Sequence, residues 1–285
     1  MATLAEINIY PVKSLQGISV KSAELTEQGL KWDRFWMVVN EDGLFVTQRN
    51  VPTMAKITTF LTDEHLILSH PEMSEILVPL VYSKNRQRDA RVWKSECQVL
   101  DEGQAVSDWL TAALGEWRGQ KLSLVRMAQT FERLVSDNHT NGAKNTTYFA
   151  DGYPVLVTTY ASLSSLNKTL ESKGETPVPM SRFRSNLVVE GHEPAFVEHN
   201  SERLVLEPDL SVAISLCKPC ERCKMTSIDQ KSGLSDSPQQ PLKTLMSMDH
   251  VPKKGAFFGQ NGVICEESKV NLPVVIKVGD PVAFL

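Results

Sequence analysis

The stretch that decides the fold class is Phe35-Trp36-Met37-Val38-Val39-Asn40-Glu41-Asp42-Gly43-Leu44-Phe45-Val46-Thr47. Two runs of β-forming residues, 35–39 and 45–47, flank a polar turn that ends in Asp-Gly. An Asp-Gly pair between such runs is typical of a β-hairpin. The stretch therefore predicts two short strands joined near Gly43.

The rest of the chain repeats this pattern of short apolar segments separated by turn residues. Further strands are expected within residues 4–12, 18–25, 57–61, 66–68, 76–80 and 90–93. Helical spacing of apolar residues is rarer, and it predicts three helices, over 105–114, from about 159 to 173, and over 242–246. Many short strands with few helices predict a β-rich α+β fold of barrel or sandwich type.

Length and composition define the class of protein. The 285 residues suggest about two domains, which we place at 1–120 and 121–285. Apolar residues make up 41% and charged residues 22%, which is ordinary globular usage and excludes a disordered or collagen-like chain. The net charge of −4 argues against a nucleic-acid binder. The polar residues 135–147 predict a mobile loop near the domain junction.

The cysteine count and the first residues bear on the compartment. Five cysteines are an odd number, which suits reduced thiols better than a secreted disulfide framework. The N-terminus lacks the basic and apolar regions of a signal peptide, and no stretch approaches the roughly 18 apolar residues of a membrane span. We therefore expect a cytoplasmic protein with no membrane association.

Three of the cysteines crowd into Cys217-Lys218-Pro219-Cys220-Glu221-Arg222-Cys223. Spacings of two residues allow thiolates to converge on one metal, and Cys265 would complete a four-cysteine zinc site. Alternatively, the cysteines are small buried residues at a strand end. A third interpretation is a reactive or metal-ligating Cys220 or Cys223, because the neighbouring Arg222 and Lys224 favour a thiolate.

Six motifs along the chain resemble those of MOSC-domain proteins that carry an N-terminal β-barrel domain. They are Ile9-Tyr10-Pro11-Val12-Lys13-Ser14, Asp33-Arg34-Phe35-Trp36-Met37-Val38, Arg182-Phe183-Arg184-Ser185-Asn186, Cys220-Glu221-Arg222-Cys223, Phe258-Gly259-Gln260 and Val278-Gly279-Asp280-Pro281-Val282. The nearest resemblance is to the mitochondrial amidoxime-reducing components and their bacterial relatives, and it runs over residues 4–284. It implies an N-terminal β-barrel-type domain followed by a MOSC β-barrel with a few helices.

The resemblance also implies roles for individual residues. Cys223 would be the protein ligand of molybdenum, and Asp151 would lie near the metal as a second catalytic residue. The remaining positions would bind the pterin and its phosphate: Lys13, Ser14, Arg34, Arg49, Arg184, Asn186, Glu221 and Arg222. Arginine suits this task because its planar guanidinium matches phosphate oxygens and pterin edges.

The function implied is that of a Mo-molybdopterin-dependent reductase that converts N–OH to N–H in small N-hydroxylated compounds, a detoxification reaction. The chain ends at Leu285 without a ferredoxin domain, so a separate flavin reductase or iron–sulfur protein is expected to supply electrons, and a monomer is expected. The alternative is a sulfur carrier or cofactor carrier that uses Cys223, or a zinc-stabilised binding module. The aminotransferase-like part of MOSC sulfurases is absent, which weakens the sulfur-carrier alternative without removing it. Pyridoxal phosphate binding is not expected.

The other notable residues are expected to be structural. Cys97 and Cys265 are predicted to be buried, Cys220 to be a buried or neighbouring thiol, and His139 to be a solvated loop residue. The five tryptophans are expected to pack in the core or between the domains: Trp32, Trp36, Trp93, Trp109 and Trp117.

Overall fold

The computed structural model of the chain describes residues 2–81, 86–136, 139–140, 144–206 and 212–285. The strands in these residues are β1 (Ala2–Ile9), β2 (Ile18–Val20), β3 (Ser22–Thr26), β4 (Gly29–Leu30), β5 (Trp36–Asn40), β6 (Thr58–Leu61), β7 (His65–His70), β8 (Met73–Pro79), β9 (Gln87–Val92), β10 (Ser95–Asp101), β11 (Leu122–Met127), β12 (Val155–Thr159), β13 (Leu187–Glu190), β14 (Arg203–Leu206), β15 (Val212–Glu221), β16 (Phe257–Ile264), β17 (Val274–Lys277) and β18 (Pro281–Phe284). The α-helices are α1 (Gln104–Leu114), α2 (Tyr160–Ser172), α3 (Val197–Asn200) and α4 (Leu242–Met246).

The largest sheet closes into a barrel of seven strands. Its strands follow the order β13-β12-β16-β15-β14-β18-β1, and β1 pairs back onto β13 to complete the ring. The interior is filled by aliphatic side chains from every strand, including the fully buried Leu4, Val157 and Ile214. The first strand of the chain thus belongs to the same barrel as strands from its C-terminal half.

The N-terminal half builds a second core beside this barrel. A four-stranded sheet has the order β5-β11-β10-β9, and a three-stranded sheet has the order β6-β7-β8. Helix α1 contributes Val106 and Leu110 to the apolar cluster that these sheets share with the fully buried Trp36. A further small sheet, β17-β3-β4, joins the end of the chain to its beginning.

The three predicted helices are confirmed, and their ends have local causes. The hydroxyl of Thr159 accepts the backbone N–H of Ser162 and so caps the start of α2. Gly115 ends α1 with a φ of 77°, a conformation that glycine adopts without a side-chain clash. The strand-rich fold with few helices is likewise confirmed.

The predicted hairpin is only half correct. The first run forms β5 and the chain turns at Gly43, but residues 45–47 make no strand, and Phe45 forms one isolated bridge to Val39. Residues 44–46 nevertheless pair with the edge of β5 that does not face β11: the Asn40 N–H donates to the Leu44 carbonyl at 3.0 Å, and the Val46 N–H donates to the Val38 carbonyl at 2.9 Å. The same short segment also bonds to Arg91 of β9, whose N–H donates to the Gly43 carbonyl and whose carbonyl accepts from the Phe45 N–H.

Two other expectations keep their status as predictions. The domain boundary near residue 120 has no test in the structure, and the predicted mobile loop, residues 135–147, lies partly outside the described residues. No helix within the described part of the chain has the length and apolar character to span a membrane.

Candidate functional site

One pocket brings together residues from both halves of the chain. It lies where the end of β15 faces the turns that precede β5 and follow β1. Its lining includes every position that the motifs predicted for the site: Lys13, Ser14, Arg34, Arg49, Asp151, Arg184, Asn186, Glu221, Arg222 and Cys223. The individual roles of these residues remain predictions, but their convergence is a property of the structure.

The pocket carries a strong excess of positive charge. Six described cations line it, namely Lys13, Arg34, Arg49, Arg182, Arg184 and Arg222, against the carboxylates Asp151 and Glu221. The side chains of Lys13 and Arg184 are buried, with 5% and 8% of the residue exposed. Four of these cations have carboxylate partners, Lys13 and Arg49 with Asp151, Arg34 with Asp33 and Arg182 with Asp229. Arg184 and Arg222 form no salt bridge among the described residues, so the pocket suits an anionic ligand.

Arg34 and Arg184 reach the pocket from distant parts of the sequence and meet at Tyr10. Each guanidinium carbon lies 4.3 Å from the Tyr10 ring centroid, and burial raises the pKa of the Tyr10 phenol to about 12. Arg34 also donates to the Asn186 side-chain oxygen at 3.0 Å. Both arginines have left-handed backbones, with φ of 50° and 55°, a strained conformation that is most often kept at functional sites.

Lys13 and Asp151 form an ion pair at the edge of the pocket. Lys13 Nζ donates to a carboxylate oxygen of Asp151 and to the Phe149 carbonyl at 2.8 Å. Burial lowers the pKa of Lys13 to about 8. Burial alone would raise the pKa of Asp151, but the charge and hydrogen bond of Lys13, with the charge of Arg49, hold it well below its usual range. Asp151 is therefore an ionised hydrogen-bond acceptor near neutral pH.

The loop that carries Asp151 is held from behind by Arg133, a residue that no motif identified. Its Nη1 donates to the carbonyls of Tyr148 at 2.8 Å and Ala150 at 2.6 Å, and its Nη2 donates to the carbonyl of Asp151 at 3.1 Å. Only 7% of Arg133 is exposed. Three bonds from one buried guanidinium fix the backbone on which the acidic side chain stands.

Cys223 is exposed, and Arg49 lies between it and Asp151. Arg49 Nη1 lies 3.5 Å from Cys223 Sγ, 3.5 Å from Met225 Sδ and 3.9 Å from Asp151 Oδ2. Cys223 is thus an accessible thiol beside a cationic hydrogen-bond donor.

Cys220 lines the same pocket and accepts a hydrogen bond from Arg222 Nη1 at 2.8 Å, while Arg222 Nη2 binds the Phe183 carbonyl at 2.7 Å. The other three cysteines, Cys97, Cys217 and Cys265, lie outside the pocket lining. Burial raises the pKa of all three thiols, and it raises that of Cys97 to about 11.

The structure does not support the zinc alternative. Within the described ranges, no three His, Cys, Asp or Glu side chains are grouped as metal ligands. Cys265, the proposed fourth ligand, packs instead against Val205 and Ala213. The spacing of the three clustered cysteines therefore follows from the course of β15 rather than from a shared metal.

The expectation that the tryptophans pack in the core or between the domains holds for Trp93 only in its second form, because its contact with Asp151 joins the two predicted domains. Trp36 is fully buried, as predicted, but Trp93 is 48% exposed and donates its indole N–H to Asp151 Oδ1 at 3.1 Å. No sequence signal marked it, because contact between residues 58 positions apart depends on the fold. His139 is exposed and stands apart from the residues that line the pocket.

The chain matches two protein families. The MOSC N-terminal beta barrel domain covers residues 1–117, and the MOSC domain covers residues 144–283. Similar proteins include mitochondrial amidoxime-reducing component 1 of Mus musculus, 32% identical over 100% of this chain and 83% of the relative. Mitochondrial amidoxime reducing component 2 of Bos taurus is 33% identical over 99% and 83%, and component 1 of Homo sapiens is 31% identical over 100% and 83%.

Proposed function

The chain belongs to the MOSC-domain family that includes the mitochondrial amidoxime-reducing components, and we propose that it is a molybdenum-cofactor-dependent reductase of N-hydroxylated compounds. The observation that carries the proposal is the pocket in which an exposed thiol, Cys223, stands beside a dense group of cations. The relatives are named for amidoxime reduction, and the proposal transfers that chemistry to this chain.

The residues present fit a phosphate-bearing cofactor with a soft metal. A thiolate is a preferred ligand for a soft metal, and Cys223 is the exposed thiol of the pocket. The buried Nε atoms of Arg182 and Arg222 have no hydrogen-bond partner among the described residues. Buried donors of this kind call for an acceptor, and phosphate oxygens supply several. Lys13, Arg34 and Arg184 would hold the anionic end of the cofactor.

When bound, the molybdenum cofactor supplies the redox chemistry that breaks the N–O bond. In the overall reaction the N–OH group takes up two electrons and two protons, the nitrogen keeps a proton, and water leaves. Asp151 is ionised, so it would accept hydrogen bonds from the N–H or O–H of the substrate and orient it. Lys13, with its pKa of about 8, would hold a proton next to that carboxylate near neutral pH.

A separate redox protein would supply the electrons, and we propose that the reaction takes place in the cytoplasm. The pocket has an open side at Cys223 and Glu221, both exposed, through which substrate would enter. The sulfur-carrier and cofactor-carrier alternatives use the same exposed thiol, so they differ from the reductase in turnover and not in geometry.

The test is metal analysis of protein produced in a host that synthesises the cofactor, followed by an assay of benzamidoxime reduction with a chemical electron donor. We expect stoichiometric molybdenum, a releasable pterin and turnover in the parent, and loss of both metal and turnover in Cys223→Ala. Cys217→Ala is the matched control, because Cys217 lies outside the pocket lining and should keep both. Protein without molybdenum and pterin would refute the proposal, and cofactor without turnover would favour a carrier.

A further inference from the structure

Trp93 occupies a position that does not favour a tryptophan. It lies in the two-residue turn between β9 and β10, with a φ of 54° and 48% of the residue exposed. Such turns favour Gly, Asn and Asp, and a positive φ is strained for a bulky side chain. A tryptophan at this position therefore costs free energy twice, through its strained backbone and through its exposed apolar ring. Backbone strain of this kind most often persists where it serves a function.

The contacts of Trp93 lead to the candidate site. Its indole N–H donates to Asp151 Oδ1 at 3.1 Å, and its ring lies 4.7 Å from the Arg49 guanidinium carbon. Phe45 packs against it with a centroid distance of 5.1 Å. Asp151 and Arg49 both line the pocket, whereas Trp93 contacts these two residues from outside the lining.

The other tryptophans show what a purely structural indole does here. Trp36 is fully buried and donates to Glu102 Oε1 at 2.7 Å, and Trp109 donates to the backbone carbonyl of Ser74 at 2.7 Å. Trp36 and Trp93 both donate to a carboxylate that a cation also binds, Arg126 at Glu102 and Lys13 at Asp151. Trp93 differs because its carboxylate lines the pocket and because it leaves nearly half of its own surface to solvent. Two donors on one carboxylate oxygen restrict the rotation of the Asp151 side chain.

We propose that Trp93 has two roles in the site: it positions Asp151, and it provides an aromatic surface that favours substrates whose N–OH group is attached to an aromatic ring. The proposal rests on the proposed function. Arg49 and Phe45 cover part of the indole ring, and the remaining exposed surface offers a ring contact to a substrate. Aromatic pairs gain energy beyond the area that they bury. The N–H of the same indole holds the carboxylate of Asp151, which would orient the N–OH group of the substrate.

Two substitutions separate the roles. Trp93→Phe keeps an aromatic ring and removes the N–H, so we expect kcat to fall for benzamidoxime and acetamidoxime alike, with the preference for benzamidoxime retained. Trp93→Leu removes the ring as well, so we expect the KM for benzamidoxime to rise about fivefold, the size of one aromatic contact, with little change for acetamidoxime. Phe60→Leu is the control, because Phe60 is a half-exposed aromatic on β6 that, unlike Trp93, has no ring or hydrogen-bond contact with a lining residue among the described residues.

A binding measurement keeps the test independent of turnover. We expect 4-nitrobenzamidine, a planar aromatic amidine, to quench the tryptophan fluorescence of the parent and of Phe60→Leu, and to quench Trp93→Phe much less. Thermal unfolding confirms that each variant is folded. Equal quenching in Trp93→Phe, or an unchanged ratio of kcat/KM for the two amidoximes in both variants, overturns the role of Trp93. A third outcome separates this proposal from the proposed function. If the protein reduces neither amidoxime but the amidine still quenches its fluorescence through Trp93, the reductase function is wrong and the aromatic binding surface remains.

Discussion

Replacing Arg133 tests whether the candidate site depends on the support of one buried guanidinium. Its two terminal nitrogens donate to the carbonyls of Tyr148, Ala150 and Asp151 at 2.6–3.1 Å. Arg133→Met keeps a long apolar side chain and removes all three donors. The three carbonyls then lose their partners in a region where the backbone of Ala150 is also buried.

The magnitude follows from two opposing effects. Hydrogen bonds to a charged group contribute about 1.5–3 kcal/mol each, so three bonds would contribute roughly 5–9 kcal/mol. Burial also disfavours the guanidinium, whose pKa it lowers, and the substitution removes that cost of several kcal/mol. We therefore expect Arg133→Met to lower the free energy of unfolding by about 2–4 kcal/mol, or Tm by roughly 3–7 °C for a chain of this size.

Urea and thermal unfolding measure this effect directly, and amidoxime reduction reports the displacement of Asp151. The control is Arg91→Met, whose guanidinium pairs with Glu96 while both side chains are more than half exposed, so its loss should cost less than about 1 kcal/mol. Arg133→Lys keeps the charge without the fork of donors and should lie between the parent and Arg133→Met. If Arg133→Met unfolds like Arg91→Met and keeps full activity, the loop does not depend on these bonds and the reasoning is wrong.

Two further predictions concern pH. Burial lowers the pKa of Lys13 to about 8, so Lys13 loses its charge as the pH rises from 7 to 9. The affinity of the cofactor-free protein for inorganic phosphate, measured by calorimetry, should therefore fall over this range, whereas that of Lys13→Arg should not. Parallel curves for the two proteins would contradict this prediction. Burial raises the pKa of Glu198 to about 7, so the folded state keeps a proton that the unfolded chain releases above its ordinary pKa near 4.5, and stability is lost as the pH rises through this range. Urea unfolding of Glu198→Gln should therefore show a gain of about 2–3 kcal/mol relative to the parent between pH 4 and 8, and a constant difference would refute it.

The residues of the site could be predicted because they are carried by short motifs in a fixed order. Lys13, Arg34, Arg184 and Cys223 stand in four different motifs, and the structure places all four in one pocket. Their roles in cofactor binding still rest on resemblance. The pattern of cysteines was less informative, since spacing alone also allowed a zinc site with Cys265.

The residues that support the site could not be predicted in the same way. Arg133 acts through backbone carbonyls, which every residue possesses, so its partners leave no trace in residue identity. Trp93 reaches Asp151 only because the turn between β9 and β10 is brought against the loop before β12. The pairing of β5 with β11 was missed for a related reason: the two strands lie far apart in the sequence, and residues 44–46 bond to the other edge of β5.

The sequence by itself determined the class of fold, the helix ends and the set of residues available for chemistry, because these depend on local periodicity, capping and the side chains present. Only the tertiary structure decided that β1 closes a barrel with strands from the other end of the chain. It also decided that six cations among the described residues share one pocket in a protein of net charge −4. Burial, charge excess and long-range hydrogen bonds are properties of the folded arrangement. They arise when distant segments exclude water together, and no local pattern encodes which segments do so.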